Sequence, residues 1–96
     1  MEIVEILDVD YFKEFNDNYG HQRGDECLLT IANVIKKLTE EYDAFCARYG
    51  GDEFVIIIKG ISHDEMVAFC SKLRERVLDC GLEHRYSKVM PMVTIS

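Results

Sequence analysis

Proline occurs once in the 96 residues, at Pro91, and there is no repeat, no low-complexity tract and no linker-like stretch. These absences exclude a disordered or fibrous chain and leave no internal domain boundary. The four cysteines, Cys27, Cys46, Cys70 and Cys80, include no Cys-x-x-Cys pair, so the paired spacing of a cysteine zinc site is missing. Nothing indicates secretion, and reduced thiols acting as small, soft core residues are expected. The apolar run from Phe54 to Ile58 is far too short to span a bilayer, and no signal peptide opens the chain. Positive charge is scarce as well: 11 Lys and Arg stand against 18 Asp and Glu, a net charge of −7. Such a surface repels phosphate backbones, which argues against nucleic acid and against direct contact with an anionic membrane. A small phosphorylated ligand carried in with Mg²⁺ remains compatible with it, and the expected setting is cytoplasmic.

What is present describes one small globular domain. The hydrophobic fraction is 48% and the charged fraction 30%, and a chain this short buries only about 60–65% of its unfolded surface. Met1 to Val9 is β-branched and largely apolar, which predicts a buried strand. Tyr11, Phe12, Phe15 and Tyr19 recur at helical spacing, with Gly20 as a natural stop. A polar turn, His21 to Gly24, then leads to Asp25 as an N-cap. Leu28, Ile31, Ala32, Ile35 and Leu38 form the apolar stripe of the clearest helix.

Ala44 to Tyr49 and Asp52 to Ile58 read as two strands of a hairpin turning at Gly50-Gly51. The unbroken apolar run after Glu53 predicts a central strand covered on both faces. Ser62 and Glu65 form a capping box ahead of a helix striped by Met66, Phe69, Cys70, Leu73 and Val77, which Gly81 closes. Residues 82–91 are polar and irregular, and Pro91 to Ser96 resumes a strand pattern. The order βααββαβ predicts an α+β fold with helices packed on an antiparallel sheet.

Two acidic pairs fall at matching places in this layout. Asp8 ends the first strand with Asp10 two residues on, while Asp52 and Glu53 open the second strand of the hairpin. If those strands run side by side, the carboxylates converge. A hard cation such as Mg²⁺ takes one or two carboxylates together with phosphate oxygens and water. The glycine pair lets a backbone or a ligand come close.

Arg48-Tyr49-Gly50-Gly51-Asp52-Glu53-Phe54 resembles the signature of the GGDEF family, the diguanylate cyclases. The upstream Asp8-Val9-Asp10-Tyr11-Phe12-Lys13, Asn16-Asp17, Gly20-His21 and Gly24-Asp25 resemble the same family at its spacing. The likeness extends from the first strand to Ser96. It implies a palm-like, nucleotidyl-cyclase-type βααββαβ domain in which two GTP molecules, one on each subunit of a homodimer, condense into cyclic di-GMP with release of pyrophosphate.

By that resemblance Asp8, Asp52 and the Val9 carbonyl would hold Mg²⁺ (or Mn²⁺), and Asp52 or Glu53 would act as general base. Phe12 and Lys13, with Gly51, would meet the phosphates, and Asn16 and Asp25 would read guanine. Guanine presents N1–H and N2–H₂ donors together, and adenine would leave such acceptors unpaired. His21 is expected to hold local structure, and Arg48 to form an ion pair near the turn.

Residues 1–96 are expected to be a partial GGDEF domain, cut at both ends and weakly active at best, with an unseen sensory or dimerisation domain beside it. The R-x-x-D of the family's inhibitory product site is replaced by Glu41-Tyr42-Asp43-Ala44, so feedback through that site is expected to be absent. The alternative from another class is a non-catalytic module that binds GTP or cyclic di-GMP and signals through a partner.

Overall fold

Alternation of inward and outward side chains shapes the sheet in the computed structural model, which describes residues 2–42 and 44–95. Strand β1 (Glu2–Asp8) is followed by helices α1 (Phe12–Tyr19) and α2 (His21–Glu40). Strands β2 (Phe45–Arg48) and β3 (Glu53–Lys59) come next, and then helix α3 (His63–Asp79). The strands form one antiparallel sheet in the order β1-β3-β2, with Asp8 opposite Glu53 and Val4 opposite Ile57. The expected α+β fold is therefore present. Met1 and Ser96, which fell within expected strands, and Asp43, named at the inhibitory product position, lie outside the described residues.

Leu7, Phe54, Ile56 and Ile58 are buried against a core that includes Leu28, Ile31, Ile35 and Leu38 from α2 and Met66, Phe69, Leu73 and Val77 from α3. Their strand neighbours point the other way. Val4, Ile6 and Phe45 are 53%, 60% and 63% exposed, and Val55 and Ile57 only half-buried. The expectation that β1 is buried and β3 covered on both faces is thus corrected. The β3 strand is central, but among the described residues the helices cover one side only, and apolar composition alone does not reveal how many faces are covered.

Three boundaries also differ from expectation. Helix α2 starts at His21, so the anticipated turn is helical and Asp25 lies inside the helix rather than at its N-cap. Gly20 at φ 90°, ψ 157° makes the whole reversal in one residue, a conformation open to glycine. Its carbonyl already accepts the Gly24 N–H at 3.1 Å.

In the hairpin, neither Gly50 nor Gly51 has positive φ, and residues 49–52 form a longer loop closed by Tyr49 N–H donating to the Glu53 carbonyl at 2.9 Å. Finally, residues 91–95 form no continuous strand. They make two isolated bridges, Val9 with Ile95 and Glu83 with Met92. The second ties residues 82–93 into a small hairpin, with Val93 N–H donating to the Leu82 carbonyl at 2.8 Å, where irregular chain was expected.

The capping box and the helix stop at Gly81 are found where expected, and the expectation of four core thiols fails at Cys80. Ser62 Oγ accepts the Glu65 N–H at 3.1 Å and Glu65 Oε1 accepts the Ser62 N–H at 3.3 Å, completing the capping box. Gly81, at φ 65°, ends α3. All four cysteines are free; Cys27 and Cys70 are buried, while Cys80 is exposed. No helix among the described residues is long and apolar enough to cross a membrane.

Candidate active site

Antiparallel pairing of β1 with β3 sets the acidic ends of both strands side by side. Asp8 is the direct cross-strand partner of Glu53, and Val9 N–H donates to the Asp52 carbonyl at 3.2 Å. Like charges placed opposite each other cost about 0.2–1 kcal/mol. No three His, Cys, Asp or Glu side chains among the described residues cluster as a complete cage. Two carboxylates beside a backbone carbonyl nonetheless suit a hard cation that fills its remaining positions with water and ligand oxygens. Asp10 is drawn elsewhere, because its Oδ2 accepts the Thr94 hydroxyl at 2.7 Å.

Between this acidic end and the start of α1 opens a cleft of about 290 Å³, lined by Phe12, Lys13, Asn16, His21, Gly51 and Asp52, with Asp17 at its wall. That volume is at the low end for small-molecule sites. Five residues singled out in the sequence thus converge on one cavity: Phe12, Lys13, Asn16, Gly51 and Asp52. Asp8, Val9 and Glu53 stand at the neighbouring strand ends. Asp25 does not line the cleft; it is exposed on α2. His21 is the first residue of α2 rather than part of a turn, and it faces the same cavity.

Lys13 brings a cation and the first turn of α1 brings unpaired backbone amides, a combination that suits phosphate. Asn16 adds recognition chemistry. Its Oδ1 is buried without a hydrogen-bond partner, an arrangement that costs about 1–3 kcal/mol unless something donates to it. A Cβ on Gly24 would collide with that same oxygen and lie 3.3 Å from Phe12 Cζ, so a helical glycine makes the seat for Asn16. Sequence reasoning passed over Gly24 as part of a turn. The available signal was its position within a helix, where glycine costs about 1 kcal/mol relative to alanine.

Among the described residues Arg48 forms no ion pair in the hairpin loop, contrary to expectation. Its guanidinium donates to the Gly51 carbonyl at 2.8 and 3.1 Å and to the Gly50 carbonyl at 3.1 Å. Main-chain oxygens in a tight loop suit its fork of donors. The loop is thereby held in place at the cleft wall.

Two further residues have structural roles that the sequence did not show; Tyr11 was expected only as part of the helical stripe. Tyr11, between Asp10 and Phe12, has left-handed backbone geometry at φ 55°, ψ 36°, the only positive φ among the described non-glycine residues. That conformation costs a non-glycine residue roughly 1–2 kcal/mol. His84, completely buried, lies with Nε2 2.9 Å from the Tyr11 carbonyl. An isolated histidine in an irregular segment carries no sequence pattern that would reveal this contact.

The geometry finds its counterpart in known proteins. The family model "Diguanylate cyclase, GGDEF domain" matches residues 3–96. Diguanylate cyclase A of Treponema denticola is 33% identical over 90 residues, 94% of this chain and 24% of that protein. Diguanylate cyclase DosC of Escherichia coli is 40% identical over 74 residues, 77% of this chain and 16% of that protein. The chain therefore spans about a quarter or less of the length of these curated relatives.

Among solved structures, the coiled coil and GGDEF domain of DgcB from Caulobacter crescentus, crystallised with c-di-GMP, superposes with a TM-score of 0.84 at 31% identity. It covers 99% of this chain and 50% of that one. The active GGEEF domain of a Vibrio cholerae diguanylate cyclase gives 0.74 at 26% identity, over 98% of this chain and 56% of that one.

Proposed function

The chain belongs to the GGDEF domain family of diguanylate cyclases, and from that premise we propose that its cleft binds GTP with a divalent cation. The protein carrying it would then join two such GTP molecules into cyclic di-GMP. The observation that carries this reading is the convergence of Phe12, Lys13, Asn16, Gly51 and Asp52 on one cavity beside the opposed carboxylates Asp8 and Glu53.

In this reading the Lys13 ammonium and the amides of Phe12 and Lys13 bind the triphosphate. Asp8, Asp52 and the Val9 carbonyl form the donor set for Mg²⁺ or Mn²⁺. When bound, that cation neutralises phosphate charge and favours loss of a proton from a nearby hydroxyl. Asn16, at the cleft wall, is the contact for the N1–H and N2–H₂ edge of guanine, its Oδ1 turning out of the buried seat against Gly24 to accept from the base. Adenine cannot satisfy that oxygen in the same way, which disfavours ATP. Asp25 stays a guanine contact only if it turns toward a bound base from its exposed position on α2.

The chemistry is a nucleotidyl transfer. A carboxylate of Glu53 or Asp52 takes the proton from a ribose 3′-hydroxyl. The freed oxygen attacks the α-phosphorus of the opposing GTP, and pyrophosphate leaves. Each molecule supplies one nucleophile and one electrophile, so two copies of the domain must face each other. The −7 net charge opposes that approach, and a dimerising domain elsewhere in the protein would help to overcome it. At the inhibitory product position Glu41 is paired with Arg76 at 3.2 Å, and Asp43 lies outside the described residues. A site that grips phosphate with arginine has glutamate in its place here.

Incubation of the protein with GTP and Mg²⁺, followed by chromatography of the products, tests the proposal. Cyclic di-GMP that is lost in Asp52→Ala supports it. GTP bound but returned unchanged would replace the enzyme with a binding module, and failure to bind GTP in the presence of Mg²⁺ would refute the reading altogether.

A further inference from the structure

Among the described residues, His84 is the one buried histidine, and the nucleotide reading has no use for it. It projects from the small hairpin that follows α3, 73 positions along the chain from Tyr11, the residue it meets. The Tyr11 carbonyl can only accept, so the ring must carry its proton on Nε2. The same carbonyl also accepts the Phe15 N–H at 3.0 Å, which uses both of its lone pairs. Nδ1 is buried with no partner.

Aromatic edges fix the ring. Phe15 lies at 5.2 Å and Tyr19 at 6.2 Å, both in T-shaped contact. The hairpin is itself anchored, since His84 N–H donates to the Pro91 carbonyl at 3.2 Å and Arg85 N–H to the Tyr19 hydroxyl at 3.1 Å. A polar ring buried this completely, with one nitrogen left unsatisfied, is retained for the bond its other nitrogen makes.

That bond falls on the single strained residue between the two halves of the cleft. Before Tyr11 come Asp8 and Val9; after it come Phe12 and Lys13. Its left-handed geometry sets the direction in which the chain leaves β1 and enters α1. We propose that His84 is a positioning residue. By donating from Nε2 to the Tyr11 carbonyl, it holds the turn that presents the Asp8–Val9 donors and the Phe12–Lys13 phosphate contacts to the same ligand. This role rests on the reading of the cleft as a nucleotide site. It couples the hairpin at residues 82–93 to the cleft without His84 touching the ligand.

The test uses the whole protein and two variants. His84→Phe keeps a ring but removes the donor. His84→Gln places an amide nitrogen the same number of bonds from the backbone as Nε2. Titration with GTP and Mg²⁺ is expected to show about tenfold weaker binding for His84→Phe, as for one lost buried hydrogen bond, and His84→Gln within about threefold of the parent. Nitrogen NMR of the ligand-free protein is expected to show a proton on Nε2, and the Tyr11–Lys13 amide signals should move in His84→Phe but not in His84→Gln.

Parent-like affinity in His84→Phe, tenfold loss in His84→Gln, or a ring without a proton on Nε2 would each overturn the inference. If His84→Phe does not fold, the tautomer and the glutamine variant still decide. If the parent binds no GTP, the nucleotide reading fails, and the amide signals alone decide whether His84 holds the turn.

Discussion

Replacing Asp8 with asparagine should make the empty protein more stable while removing its response to ligand. Asp8 and Glu53 face each other across β1 and β3, and a directly opposed like-charge pair costs about 0.2–1 kcal/mol. Asp8 is exposed, so water screens the repulsion and about 0.5 kcal/mol is a fair value. Asparagine keeps the shape and removes one charge. For a domain of 96 residues, that gain raises the midpoint of thermal unfolding by roughly 2–4 °C.

Ligand reverses the order of the two proteins. GTP with Mg²⁺ at a hundredfold excess over Kd stabilises the parent by about 2.7 kcal/mol, a rise of roughly 10 °C or more. The variant, with half of its side-chain metal donors gone, should rise by less than about 3 °C. Differential scanning fluorimetry in EDTA, and again with Mg²⁺ and GTP, reads both arms. A variant that melts below the parent in EDTA would refute the electrostatic argument. One that responds to Mg²⁺ and GTP as fully as the parent would remove Asp8 from the donor set.

Gly24→Ala should weaken GTP binding about tenfold by evicting Asn16 Oδ1 from its seat, as titration calorimetry would show. Its effect on stability should stay within about 1 kcal/mol, because alanine's better helix propensity offsets part of the clash. Ser62→Ala removes one arm of the capping box and should lower unfolding free energy by about 1 kcal/mol in urea titrations, with GTP affinity unchanged. Burial, with the Cys80 thiol adding to it, pushes the Cys27 thiol up from 9.0 to about 11. Because the folded value exceeds the unfolded one, that contribution is complete below about pH 9. It is lost as pH rises toward 11, to the extent of about 2–3 kcal/mol. Urea midpoints at pH 8 and pH 10.5 should diverge in the parent and diverge less in Cys27→Ala.

Local rules made most of the framework legible. The stripe from Leu28 to Leu38, the Ser62–Glu65 box and the closure at Gly81 depend on residues within a turn or two of one another, and all were readable. The pairing of the two acidic strand ends was legible too, because two motifs at fixed spacing constrain each other. Illegible features depended on distant partners. Whether Val55 and Ile57 are covered depends on which helices lie over them, and an apolar run looks the same either way.

Gly20 and Gly24 both read as turn residues until Asn16 is seen packed against the second. Arg48 was assigned to a carboxylate because side-chain charge is visible in a sequence and loop carbonyls are not. The 82–93 hairpin and His84 were hidden for a related reason: a contact across 73 positions leaves no periodic trace.

The pleat of β3 separates two kinds of mutational pressure. Phe54, Ile56 and Ile58 insert into the core, whereas Glu53, Val55 and Ile57 look away from it. A saturation scan along this strand would read as a two-beat rhythm, intolerant and tolerant by turns. Glu53 falls on the permissive beat, so this acid can be exchanged during divergence without unsettling the fold beneath it. A domain wired this way can change the charge at its strand ends and keep its shape.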